Sequence, residues 1–196
     1  MRMRLTSLAA CLLGTVAYGQ QFIALDTPYQ VNYAANLSAG DSQIAIVNDG
    51  ATDGNICVSV YTYDQQEELI SCCTCTVTPN GLQSISVNDS LVSNTLTPGV
   101  PAGVVVKLLA SSRDGSACNA ASFGAAVNGM LAWSTTLAPV PSGGFAPTRT
   151  AFVPANLSDG QALQMTQYCG FIEAIGTGYG ICRGCQNGAL AGASKQ

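Results

Sequence analysis

Histidine is absent from this chain, and that one absence removes a large block of chemistry. Without imidazole there is no Ser–His or Cys–His nucleophile, no histidine proton shuttle and no histidine metal ligand. Charge is scarce too: only 9% of residues are Asp, Glu, Lys or Arg, against about a quarter in an ordinary globular domain. Beyond the N-terminus no second apolar run of about 18 residues exists, so no further segment reads as a membrane-spanning helix.

The few charges lean one way. Of seven basic residues, Arg2 and Arg4 sit at the start of the chain. The other five (Lys107, Arg113, Arg149, Arg183 and Lys195) face eleven acids, a formal charge of −6 over residues 20–196. They form no basic stripe and interleave with no stacking aromatics. Nucleic acid is therefore disfavoured as a partner, and anionic lipid for the same reason.

What is present begins with an export signal. Arg2 and Arg4 precede the apolar stretch Leu5 to Ala17, which has the length of a signal-peptide core. Ala17-Tyr18-Gly19 places small residues at the −3 and −1 positions of a cleavage site, ahead of Gln20-Gln21. Residues 1–19 thus read as a signal peptide. Residues 20–196 read as one secreted or extracytoplasmic domain, periplasmic or at the cell surface. Leu8-Ala9-Ala10-Cys11 also has the form of a lipoprotein box. The apolar run continues past it through Leu12, Leu13 and Val16, which disfavours a lipid on Cys11.

Period-two alternation dominates the rest. Strands are expected at Gln43–Asn48, Ile56–Tyr63, Leu69–Thr78, Leu82–Val87, Val104–Ser111, Gly129–Leu137 and Thr148–Val153, punctuated by turn formers. Seven or eight such strands read as an antiparallel β-sandwich of Ig-like, jelly-roll or Greek-key type. Residues 138–147, "APVPSGGFAP", read as its longest loop. Residues 158–175 carry helix grammar instead: Ser158 as cap, Gln161 three residues on, and Met165, Tyr168, Cys169, Ile172 and Ile175 on one face. Behind them lies a glycine-rich tail.

Without Cys11, eight of the nine cysteines remain: Cys57, Cys72, Cys73, Cys75, Cys118, Cys169, Cys182 and Cys185. An even number in an exported chain points to four disulfides. A hairpin around "DQQE" with matched apolar faces would set Val58 opposite Cys73 and Ile56 opposite Cys75. Cys57 and Cys72 would share the other face. Cys73 and Cys75 would then need partners across the core, among Cys118, Cys169 and the Cys182/Cys185 pair. Two C-x-x-C units, 72–75 and 182–185, also raise a metal site or thiol exchange. Their wide separation, and the helix before rather than after "CRGC", weigh against both.

Other candidates are weaker. Asp49, Asp53 and Asn55 in "NDGATDGN" offer oxygens suited to calcium but lack the order of an EF-hand loop. Asx-Gly turns use the same residues. Asp64, Glu67 and Glu68 are the one tight acidic cluster, read as a solvated turn. Trp133, Tyr61, Tyr63 and Tyr168 would make a sugar-stacking platform if they met. Sequons occur at Asn36, Asn88 and Asn156.

The stretch "ICVSVYTYDQQEELISCCTCTVTPNGL" (56–82), with "CNAASFG" and "CGFIEAIGTGYGICRGC", resembles one that recurs in uncharacterised secreted, cysteine-rich bacterial proteins. That resemblance implies a bacterial exported protein and brings no activity, cofactor or site. The expectation is a non-enzymatic surface, matrix or adhesion-type module with no cofactor and a protein or glycan partner. A carbohydrate- or calcium-dependent binding module and a CxxC thiol or metal carrier are the alternatives. Intact mass under non-reducing denaturation is expected to start at Gln20, lack eight hydrogens and show no alkylation. Alkylation of Cys182 and Cys185 would contradict four bridges.

Overall fold

A computed structural model describes residues 27–113 and 117–185. The signal segment 1–19, its cleavage point and Cys11 lie outside the described residues. Nine strands form among them: β1 (Tyr29–Ala35), β2 (Gln43–Asn48), β3 (Ile56–Tyr63), β4 (Leu69–Val77), β5 (Leu82–Ser86), β6 (Gly103–Ser112), β7 (Met130–Pro139), β8 (Phe145–Ala151) and β9 (Val153–Pro154). A π-turn, Val87–Leu91, follows β5, and one helix, α1 (Asp159–Ile175), follows β9. The strands make two antiparallel sheets, of order β4-β3-β6-β1-β9 and β5-β2-β7-β8.

The sheets face each other across an aliphatic core. Ile56, Val58 and Val60 of β3 and Val106 and Leu108 of β6 meet Ile44 and Ile46 of β2 and Ile85 of β5. Burying each such side chain contributes about 1.5–3 kcal/mol. The outer face of the five-stranded sheet is covered as well over β4, β3 and the adjoining part of β6. There Tyr61, Tyr63, Leu69 and Leu109 pack beneath Met165, Cys169 and Ile172 of α1. All eight residues of β3 are consequently buried. Buried amides tie the layers together. Gln30 Nε2 of β1 donates to Met130 O of β7 at 2.8 Å, and Asn48 Nδ2 of β2 donates to Val77 O of β4 at 3.0 Å.

Three expectations are corrected, and one strand is added. The β3–β4 register places Val58 opposite Cys75 and Ile56 opposite Val77, two residues from the expected pairing. The slip absorbs a five-residue turn, 64–68, and an irregularity at Thr62/Tyr63, and it preserves the faces because it is even. Residues 138–147 are not a long loop. They hold the ends of a β7–β8 hairpin whose short turn uses Gly143 and Gly144 at φ 86° and 85°. Strand β1 escaped the alternation pattern because polar Gln30 points into the protein, where its amide is satisfied. On α1, Met165, Cys169 and Ile172 are buried, whereas Tyr168 and Ile175 are exposed.

The helix itself follows local rules. Ser158 Oγ accepts from Gln161 N at 3.2 Å, and Gly176 ends α1 at φ 68°. Both side edges of the sandwich are crossed by chain. Phe152, 3% exposed, turns inward between β8 and β9, so the chain passes from one sheet to the other. At the opposite edge the 78–81 turn joins β4 to β5.

Four disulfides hold the shell: Cys57–Cys118, Cys72–Cys169, Cys73–Cys182 and Cys75–Cys185, with Cα separations of 5.4, 5.9, 5.4 and 4.6 Å. The double substitution Cys72→Ala/Cys169→Ala is expected to cost about 2–4 kcal/mol by urea unfolding. An unchanged midpoint would mean that packing alone seats α1.

Candidate functional site

Strand β4 is the anchor of the molecule. Successive side chains point to opposite faces, so Cys72 reaches outward to Cys169 on α1 while Cys73 and Cys75 reach inward to the tail. The tail lies along the otherwise open edge of β4. Cys72 N donates to Gly180 O at 2.8 Å and Cys182 N to Cys72 O at 3.2 Å, a one-residue parallel bridge. "CRGC" thus plugs the gap between β4 and β5. Gly184 carries no side chain because a Cβ there would sit 2.6 Å from Ser90 Oγ and 3.2 Å from Ile85. Cys182 and Cys185 do not bond to each other, so the motif holds no dithiol pair to exchange.

The calcium candidates form turns. Asp49 Oδ1 accepts from Ala51 N at 2.8 Å, Asp53 sits at φ 53°, and Asn55 shares a cavity wall with cationic Arg113. Among the described residues no group of three or more His, Cys, Asp or Glu is placed to hold a metal ion. Asp64 is a turn builder as well: Oδ1 accepts from Gln66 N and Glu68 N, both at 2.9 Å. The sequon asparagines differ. Asn36 Nδ2 donates to Leu137 O and Asn88 Nδ2 to Leu37 O, whereas Asn156 is exposed.

The four aromatic candidates do not assemble. Tyr61 and Tyr63 lie under α1, and the Tyr61 hydroxyl donates to Ala120 O at 2.6 Å. Trp133 lies on the other sheet, with the Arg149 guanidinium 5.3 Å from its ring centre. Tyr168 stands on α1, exposed.

What the fold brings together instead is Tyr168 and the acidic turn. A cleft of about 430 Å³ opens between α1, the 64–68 turn and residues 96–97. Glu67 and Glu68 line one wall, Tyr168 and Phe171 the other, with Leu69 and Ile172 at its base. No basic residue lines it. Phe171, 61% exposed, is the member that sequence reasoning missed. Its signal was present: Tyr168, Phe171 and Ile175 make a second apolar stripe one position behind the buried Met165, Cys169 and Ile172. Five of the ten exposed large hydrophobics (Leu163, Tyr168, Phe171, Ile175 and Tyr179) lie between 163 and 179. That is a concentration rather than ordinary surface scatter.

Beneath the cleft lies a buried tyrosine layer. Burial pushes Tyr29 and Tyr63 up to about 12, with neighbouring tyrosines adding to the shift, and raises Tyr61 further. Lys107 Nζ sits 4.2 Å over the Tyr63 ring; burial lowers its pKa and Glu67 partly opposes that. The two kinds of group act oppositely on stability. The folded state keeps tyrosine protons that the unfolded chain loses from about pH 10, so stability falls as pH rises from there toward 12. The unfolded chain holds the Lys107 proton to higher pH than the folded one, so this group makes stability rise with pH up to about 10.5. Tyrosinate absorbance is expected to show a late component with midpoint about 12, reduced in Tyr63→Phe. A single midpoint near 10 would contradict the buried layer.

Comparison with known families, characterised proteins and solved structures finds no match to this chain.

Proposed function

We propose that this is a non-enzymatic, disulfide-stapled interaction module that works outside the cytoplasm, of a surface, matrix or adhesion type, and that the α1 cleft is its contact site. The observation that carries the reading is the pinned helix. All eight cysteines from 57 to 185 are consumed in bridges, and three of those bridges fix α1 and the tail on β4. An exposed aromatic stripe is thereby held rigid. Bridges of this kind form and persist where thiols oxidise. Rigid aromatic side chains lose little entropy on contact and serve as anchors of protein and glycan interfaces. Among the described residues no helix is long and apolar enough to cross a membrane.

The carbohydrate reading keeps support from the same aromatics beside carboxylate acceptors. A calcium-dependent mode gains none from Asp49, Asp53 and Asn55, whose turn is already closed by its own hydrogen bonds. A thiol or metal carrier would need Cys182 and Cys185 released from β4.

The test is retention of the immobilised protein's partners from arrayed glycans, peptides and extracellular proteins. Tyr168→Ser/Phe171→Ser is expected to lose the retained partner while its thermal midpoint stays within a few degrees, since both side chains are exposed. Equal retention by wild type and variant would overturn the cleft as the contact site.

A further inference from the structure

We infer that the partner held in the α1 cleft is a cationic segment of polypeptide, whose Lys or Arg heads meet Glu67 and Glu68 while apolar side chains or stems lie on Phe171 and Tyr168; this rests on the cleft being the contact site. Four kinds of occupant are distinguishable by the cleft's own charges. Its lining holds two carboxylates and no cation; Lys107, over the Tyr63 ring and off the lining, is within Coulombic reach of Glu67 and leaves Glu68 without such a neighbour.

A second copy of the chain related by a two-fold axis would set this acidic rim against itself, and like charges juxtaposed cost affinity. An anionic membrane is repelled for the same reason. A neutral glycan would find carboxylate acceptors here but few side-chain donors: the Gln164 amide, which already donates to the Tyr168 hydroxyl at 3.4 Å, and the hydroxyls of Thr97 and Tyr168. It would also leave Ile175, the aliphatic end of the stripe, without a use. A basic amphipathic segment satisfies every part at once. Its ammonium or guanidinium groups pair with carboxylates and lie over the Tyr168 ring, and its methylene stems and apolar neighbours cover Phe171 and Ile175.

Glu67 is presented for this by its backbone. It occupies the left-handed position of the turn at φ 65°, while Asp64 spends its carboxylate on Gln66 N and Glu68 N. The turn is thereby closed by Asp64, and no hydrogen bond within it uses the carboxylates of Glu67 and Glu68.

The experiment is fluorescence anisotropy of the intact disulfide-bonded protein at low salt. Its three labelled probes are a Leu/Lys amphipathic peptide, the matching Leu/Glu peptide and a neutral β-glucan oligosaccharide. The Leu/Lys peptide is expected to bind and the other two not. Glu67→Gln/Glu68→Gln should weaken it about threefold to tenfold, and Phe171→Ser by about tenfold or more. Asp49→Asn/Asp53→Asn removes the same charge at the far end of β3 and should leave binding unchanged. An equal loss in that control would reduce the effect to overall charge and overturn the inference. Binding of the glucan that Phe171→Ser abolishes and Glu67→Gln/Glu68→Gln spares would also overturn it, while leaving the cleft as the contact site. Binding of no probe by the wild type overturns the cationic partner. Only insensitivity of every retained partner to Tyr168→Ser/Phe171→Ser removes the cleft itself.

Discussion

The structure depends on the alternation of one strand. In β4 the pleat sends Cys72 to one face and Cys73 and Cys75 to the other, so three bridges leave a four-residue stretch in two directions. The outward bridge fixes the helix layer. The inward pair draws the tail across the sandwich edge between β4 and β5. Each of these three closes a loop of roughly a hundred residues, with sequence separations of 97, 109 and 110. Loops of that size are where cross-linking removes the most chain entropy from the unfolded state. The edge strand gains a second benefit: its backbone groups at Cys72 are paired with the tail instead of offered to another chain.

The two sheets consequently have different fates. The five-stranded sheet is covered within by the other sheet and, over β3 and β4, also without by α1 and residues 120–123, while its outer face stays open toward β1 and β9, where Tyr33 and Val153 are exposed. It therefore reads as continuous apolar sequence in β3. The four-stranded sheet keeps its outer face open, with Gln43, Ser84 and Thr135 beside Trp133 and Arg149. Edge strand β8 carries Pro147 and Arg149, the residues that discourage strand addition. Half of the exposed large hydrophobics lie on α1 and the segment just behind it.

That concentration gives the functional reading its direction. A domain with so little charge has few ways to attract a partner at distance, so a local acidic rim beside an aromatic stripe stands out. The buried tyrosines and Lys107 below act as packing. Their shifted proton affinities record burial, which costs the charged form, and none of them lines the cleft, although Lys107 is within Coulombic reach of Glu67.

Much of this was legible in the residues. Six of the nine strands stand where alternation put them, because their apolar residues recur with the pleat and their turns carry Gly, Asn and Asp. The helix was legible from Ser158 and Gly176, which are local signals. Strand β1 was hidden because Gln30 is satisfied by a carbonyl a hundred residues away. The β3–β4 register was hidden because a shift of two keeps every face. Within the site, Tyr168 and Glu67 were each visible but their meeting was not. The sequence by itself determined that the cysteines from 57 onward would be staples in a β-rich chain. It did so because chemistry and periodicity are properties of the chain alone. Only the tertiary structure decided which cysteine met which, and that Phe171 would face Glu67 across a cleft. Both depend on how residues about a hundred positions apart approach in space.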